Sequence, residues 1–163
     1  VIAVLNYKNE KYEVLINDED LVFYNSKTWR LKKSGDKLYV STPIYLGKVT
    51  SKFKWKHVYY HREILDVPKG MYVDHIDGNT LNNLRSNLRI CSNAENCRNQ
   101  KIRTNNKTGY RGVRKVKDKF IAQINKVGKA TYLGQFKTIE EAVIRYNSEA
   151  VKEYGEYAKL NIL

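Results

Sequence analysis

The stretch VDHIDGNTLNNLRSNLRICSNAENCRNQ, residues 73–100, decides how this chain is read. VDHI alternates apolar and polar residues, as a half-buried strand does. IDGN supplies a turn, because Asp-Gly and Asn accept the backbone angles that turns need. NLRICS returns to an apolar strand. NAENCRNQK then reads as a helix, capped by Ser92 or Asn93. Two strands followed by a helix would gather Asp74, His75 and the helix residue Asn96 into one small volume.

Those residue types suit phosphodiester hydrolysis. The reaction needs a base for the nucleophile and charge stabilisation for the phosphorus centre and the leaving oxygen. His75 has an ordinary pKa near 6.5 and is a competent base near pH 7. Asp74 and Asn96 offer hard oxygen ligands, which suit Mg²⁺ or Mn²⁺ better than zinc. Adjacent strand residues point to opposite faces. Asp74 and His75 therefore share a site only if one reaches round an edge or the strand bends there. Arg85, Arg89 and Arg98 are candidates for holding phosphate or stabilising the transition state, with general backbone contact as the alternative. Asn79, Asn82 and Asn83 read as loop formers. His61, at the start of a short helix, reads as structural or DNA-contacting. His57 carries no readable signal.

The surrounding composition points to a polyanion. Basic residues number 30 against 17 acidic, a formal charge of +13 at pH 7. A basic surface of that size fits nucleic acid or an anionic membrane. No run of about 18 apolar residues is present, so a spanning helix is not expected. VIAVL is too short for a signal peptide's apolar region and lacks a basic start. The chain begins without Met, which leaves a native start upstream open. Cys91 and Cys97 sit six apart, neither a CxxC pair nor half of a zinc cage, and are read as small core residues in a reducing compartment. A modest core is expected, to whose stability bound nucleic acid or metal would add.

Four segments follow. Residues 1–57 read as a β-rich N-terminal region. Within it RLKK and KLYVSTPI flank the turn SGD as a hairpin, and NDEDLVFYN is a short helix capped by Asn17 or Asp18. In KFKWKHVYY, Lys52, Lys54 and Lys56 alternate with Phe53 and Trp55. This is either a phosphate-facing edge or a half-buried strand with a solvated face. Residues 58–102 hold the chemistry. Residues 103–109 have linker composition. Arg98, Lys101, Arg103, Lys107, Arg111, Arg114, Lys115 and Lys117 fall between residues 96 and 117 with no acid among them, which suits tracking along a phosphate backbone.

Residues 110–163 read as three strands and a helix, with turns at Lys117-Asp118 and Gly128-Lys129. Phe120, Ala122 and Ile124 alternate with Gln123 and Asn125. The helix starts at TIEE, where Thr138 and Glu141 have capping-box spacing. Its apolar stripe, Ile139, Ala142, Val143, Tyr146 and Ala150, should cover one sheet face and leave the other open.

The segment 58–102 resembles the HNH nucleases, in the subgroup whose motif runs D-H…N…N. The resemblance implies a ββα-metal core that cuts DNA. It implies metal ligation by Asp74 and Asn96, water activation by His75, and a loop held by Asn87 that also orients the histidine. Asn96 stands where many members carry histidine. The segment 109–163 is similar to the DNA-binding domain of plant ethylene-response factors (the APETALA-two type), on YRGVR at 110–114, KFIAQI at 119–124, LGQF at 133–136, TIEEA at 138–142 and the ending YAKLNI. That resemblance places the sheet in the major groove. Arg111 and Arg114 would contact bases, their odd spacing accommodated by a bulge at Gly112, with Lys115, Lys117, Gln123, Asn125 and Tyr132 on or near the reading surface. Tyr132 and Phe120 replace indoles and Gln123 a glutamate, so a different target site is expected.

Together these readings give an α+β chain: a β-rich N-terminal region, a ββα-metal core, and a three-stranded antiparallel sheet packed by one helix. The expected function is metal-dependent cleavage of double-stranded DNA by a homing, phage or mobile-element enzyme. It would act inside a bacterial or phage-infected cell, away from membranes, with a monomer favoured. A DNA-binding regulator with a silent nuclease centre is the main alternative. An RNA-directed protein is disfavoured because the RNA major groove is too narrow for a sheet.

Overall fold

The computed structural model describes the whole chain except Ser51, Lys101, Arg103 and Val127, and the side chain of Val49. The proposed phosphate contacts Lys101 and Arg103 thus lie outside the described residues. The chain divides into two compact units, Val1–Asn96 and Cys97–Leu163.

The first unit is built from hairpins. Strand β1 (Ile2–Tyr7) pairs antiparallel with β2 (Glu10–Leu15). The turn Lys8-Asn9 has positive φ at both residues, 50° and 66°, as the tight hairpin connection that matches strand twist requires. A 3-10 turn at Asp18–Asp20 leads into helix α1 (Leu21–Asn25). No side chain caps either element. The Asn17 carboxamide oxygen, expected as a cap, instead accepts from the Arg85 backbone N–H at 2.8 Å. Strands β3 (Arg30–Ser34) and β4 (Lys37–Val49) form the expected hairpin, and β5 (Lys52–Tyr59) adds to β4 at the sheet's edge. The alternation at 52–56 holds in register, but Phe53 and Trp55 are exposed, so this end of β5 is not the half-buried strand that was one of its two readings.

Helix α2 (Tyr60–Glu63) follows directly, then β6 (Tyr72–His75), β7 (Leu88–Cys91) and α3 (Asn93–Asn99). Val14, Ile16, Trp29, Leu31, Val40, Tyr60, Ile64 and Leu88 form one core. Residues 1–57 and the segment carrying the chemistry therefore share a single apolar centre. A short two-stranded ladder buries too little surface to stand alone. The hairpins supply what β6 and β7 lack.

The second unit is a three-stranded antiparallel sheet, β8 (Val113–Val116), β9 (Lys119–Lys126) and β10 (Lys129–Phe136), covered by helix α4 (Ile139–Tyr154). The Thr138–Glu141 capping box forms as expected, with Glu141 N–H donating to Thr138 Oγ1 and Thr138 N–H donating back to the Glu141 carboxylate. Val113, Ala122, Ile124, Ala142, Val143, Tyr146 and Ala150 make its core, with Phe120 and Ile139 packed on it. Lys129, expected in the second turn, instead belongs to β10 and pairs with Lys126.

The register shift falls between Tyr132 and Gly134, not at Gly112. Gly112 precedes the ladder at φ +67°, and its carbonyl accepts from Gln123 N–H at 2.8 Å. A Cβ there would lie 2.2 Å from the Tyr146 ring. The glycine is thus needed for close approach of backbone to ring. Asn106, Thr108 and Gly109, in the stretch read as linker, are tied down locally. Asn106 Oδ1 accepts from Thr108 and Gly109 N–H, and Thr108 Oγ1 donates to Val113 O at 2.8 Å. Cys91 is buried as expected, but Cys97 is exposed rather than in the core. No helix among the described residues is long and apolar enough to cross a membrane.

Candidate nuclease site

The loop between β6 and β7 is organised by carboxamides around Asp77. Asn79 N–H and Asn87 Nδ2 donate to Asp77 Oδ1 at 2.7 and 3.0 Å, and Asn82 Nδ2 donates to Oδ2 at 2.8 Å. Asp77 N–H returns a bond to Asn87 Oδ1 at 3.0 Å, and Asn87 Nδ2 also reaches Asn82 O at 2.8 Å. Burial alone would raise the Asp77 carboxyl, but the donors from Asn82, Asn79 and Asn87 outweigh it and hold the pKa low. The far side of the loop is fastened to the N-terminal hairpins. Leu15 N–H donates to Leu81 O, Asn83 N–H to Leu15 O, and Thr80 Oγ1 to Leu38 O.

This fastening fixes the surroundings of His75. Its Nε2 lies 3.4 Å from Oδ1 of Asn83, a fully buried residue. The His61 ring stands edge-on to it, centroids 5.1 Å apart, and Tyr39 lies 6.5 Å away. Burial lowers the His75 pKa, against the opposing pull of Asn83, Asp77 and Asp74. His75 is thereby neutral at pH 7. His61 is 7% exposed and its Nδ1 has no hydrogen-bond partner among the described residues. Burial, then the neighbouring His75 and Arg62, lower its pKa to about 3.

Asp74 has different company. It is buried, and Arg89, directly opposite on β7, places Nε at 3.0 Å and Nη2 at 2.8 Å from its Oδ2. Cys91 lies on the same face, and burial followed by the Asp74 and Glu95 carboxylates raises its thiol pKa, while the Asn96 backbone works against them. The first turn of α3 is therefore close to Asp74. Ser92 and Glu95 cap that helix reciprocally, Ser92 N–H to Glu95 Oε2 at 2.7 Å and Glu95 N–H to Ser92 Oγ at 3.3 Å.

Two neighbouring clusters result. One holds Asp74, Arg89, Cys91, Glu95 and the start of α3 with Asn96. The other holds His75, His61, Tyr39 and Asn83. Successive strand residues project to opposite faces, and the separate partners of Asp74 and His75 follow that rule. Among the described residues no three His, Cys, Asp or Glu side chains are placed to hold a metal ion. A cation here would rest on one carboxylate and a carboxamide oxygen, with water and phosphate oxygens completing its shell. That sparse oxygen set fits a hard ion such as Mg²⁺ or Mn²⁺.

Arg85, Arg98 and Arg111 are engaged within the chain. Arg85 reaches Asp20 through Nη2 at 2.6 Å and Nε at 3.0 Å, and Glu19 at 3.1 Å. Arg98 lies over the Tyr154 ring, 4.2 Å to the centroid. Arg111 donates to the carbonyls of Arg98 and Gln100, and its backbone N–H to Asn161 Oδ1 at 2.7 Å. On the sheet face away from α4, register places Arg114 opposite Ile121, and Gln123 opposite Tyr132, with Asn125 two residues on. Arg114, Gln123, Asn125 and Tyr132 thus share that open face. Lys115, opposite Phe120, belongs to the other face at its margin. Lys117 sits in the β8–β9 turn at φ 52°. The sequence reading missed Asn83 and Asp77, hidden in a run read only as loop. It also missed the packing of His61 on His75, for which the chain offers no local signal.

Residues 66–98, spanning β6, the loop, β7 and most of α3, match a family described as HNH endonuclease. The chain is 38% identical over 96 residues to "Uncharacterized HNH endonuclease L560" of Acanthamoeba polyphaga mimivirus, covering 58% of this chain and 49% of that protein. It is 47% identical over 47 residues to Protein 3.8 of Escherichia phage T7, covering 29% and 39%. A SPbeta prophage protein of Bacillus subtilis strain 168, YosQ, named as a candidate HNH homing endonuclease, is 61% identical over 33 residues, covering 20% and 19%. The chain spans about half the length of the mimivirus relative and less of the other two.

Proposed function

We propose that this protein is a metal-dependent HNH DNA endonuclease of the homing or phage kind. It would hydrolyse phosphodiester bonds in duplex DNA and choose sites through its C-terminal sheet. The observation that carries the reading is a buried, neutral His75 on the first strand of the segment that matches HNH endonucleases. An amide oxygen only accepts, so the Asn83 contact puts the proton on His75 Nε2 and makes Nδ1 the basic nitrogen. In this mechanism His75 takes the proton of a water as its oxygen forms a bond to phosphorus and the opposite P–O bond breaks. Asp74 and Asn96 would hold a divalent cation, Mg²⁺ or Mn²⁺. When bound, the cation supplies charge stabilisation at the phosphate and leaving oxygen. Arg89 then exchanges part of its hold on Asp74 for the phosphate. Asn87 keeps the loop closed through Asp77, and Asn83 orients the imidazole. Arg114, Gln123, Asn125 and Tyr132 face the major groove of the bound duplex, in the manner of an ethylene-response-factor domain; arginine and the carboxamides pair with guanine and adenine edges there. Arg98 and Arg111 brace the second unit, while Lys115 and Lys117 meet phosphates at its margin.

The test is His75→Ala with plasmid DNA and Mg²⁺ or Mn²⁺. Cleavage is lost while binding in EDTA is retained. Wild-type cleavage rates in the variant overturn the base assignment.

A further inference from the structure

The β4–β5 hairpin continues past the core as a two-stranded ribbon, and its apolar residues do not stop where the core does. Tyr45 pairs with Trp55 and Lys48 with Phe53, with a register shift between Tyr45 and Lys48 where Gly47 adopts φ +106°. Phe53 and Trp55 are two apart on β5, so they share a face with Tyr45. The Tyr45 ring lies 5.1 Å from Trp55 and 6.1 Å from Phe53, centroid to centroid. All three are about half exposed or more: 49%, 55% and 65%. A strand that ends in solvent ordinarily turns polar; this one carries an aromatic ladder.

Charge says what covers it. Residues 44–56 contain Lys48, Lys52, Lys54 and Lys56 and no acid. Lys48 Nζ lies on the aromatic side, 5.6 Å from the Phe53 centroid. The other three project from β5, the edge strand of its sheet, and long side chains at an edge reach round it. Edge lysines also discourage strand addition by another chain, and a charge of +13 disfavours a second copy of this protein. A polyanion with flat apolar groups matches both halves of the ribbon. Phosphates meet the lysines, and bases stack on the rings. Duplex bases have their faces covered, so the bases concerned are unpaired.

We propose that the β4–β5 ribbon is a binding site for single-stranded DNA, with Tyr45, Phe53 and Trp55 as its stacking platform and the four lysines along its phosphates. The proposal rests on the endonuclease reading only in naming DNA as the polyanion. It would hold an unpaired strand beside the duplex being cut.

The two tryptophans make the test direct. Trp29 is buried against Tyr24 and Tyr60, whereas Trp55 is open. The full chain is titrated with a short oligothymidylate in EDTA at low salt. The solvent-exposed component of tryptophan emission is quenched on binding. Trp55→Phe abolishes the quenching, and Tyr45→Ala, Phe53→Ala and Trp55→Ala combined weaken oligothymidylate binding about tenfold or more. Circular dichroism and the buried Trp29 emission report that the fold persists. Quenching by duplex alone, quenching only by vesicles of anionic phospholipid, or unchanged oligothymidylate affinity in the triple variant each overturns the proposal. Plasmid cleavage by the wild-type chain separates the two readings. Cleavage without oligothymidylate quenching leaves the nuclease and removes the ribbon site. Quenching without cleavage does the reverse.

Discussion

Acidification should destabilise the first unit through His61, and the size of the effect follows from its burial. The unfolded chain protonates this imidazole near pH 6.5. In the folded chain burial, with His75 and Arg62 beside it, keeps it neutral down to about pH 3. Between those values the unfolded state binds one more proton than the folded state. Stability is therefore complete above pH 6.5 and falls as pH falls, by about 1.4 kcal/mol per unit. From pH 6.5 to 5.0 this amounts to about 2 kcal/mol, and to pH 3 about 5 kcal/mol, a large share of the ~5–15 kcal/mol that holds an ordinary domain folded. His75 is shifted in the same direction and adds to the slope. His61→Phe keeps a ring against Tyr39, Tyr59 and His75 and removes both the titration and the unpartnered Nδ1. Urea denaturation of both proteins between pH 7.5 and 5.0 makes the comparison. The variant should lose about 2 kcal/mol less over the range from pH 6.5 to 5.0. Parallel pH dependences would refute the argument, because His61 would then titrate equally in both states.

The second unit offers two further outcomes. Gly112→Ala forces a Cβ to 2.2 Å from the Tyr146 ring and 2.4 Å from the Gln123 carbonyl, at φ +67°. A loss of about 3 kcal/mol is expected in thermal or urea unfolding of this unit; an unchanged midpoint would mean that the ring is free to move. Arg114→Ala should relax sequence preference in a competition assay while leaving stability intact, because Arg114 is exposed on the open sheet face. Arg111→Ala should instead lower stability, since its guanidinium ties down the Arg98 and Gln100 carbonyls. Equal loss of preference in both variants, with neither destabilised, would contradict that division of labour.

Much of this architecture is legible in the chain because it is local. The Thr138–Glu141 cap, the Lys117-Asp118 turn, the α4 stripe and the β6–loop–β7–α3 order are each set by residues a few positions apart. Period-two and period-3.6 patterning report which face is buried without reference to distant partners. Asp74, His75, Asn87 and Asn96 stand out for the same reason: their types and spacing are visible in one line of sequence.

Tertiary structure decided the rest, because side-chain surroundings come from segments far apart in the chain. Nothing near Arg85 in sequence announces Asp20 and Glu19, and nothing near His75 announces His61 and Tyr39. Asn83 reads as one more loop asparagine until Leu15 fixes its backbone and presents its amide to the imidazole. Arg111 and Arg114 look equivalent in YRGVR, yet one ends among carbonyls and the other faces solvent. Sequence determined which groups are present and the secondary structure that carries them. Only the fold could set how each is solvated and paired, and so which proton each can hold.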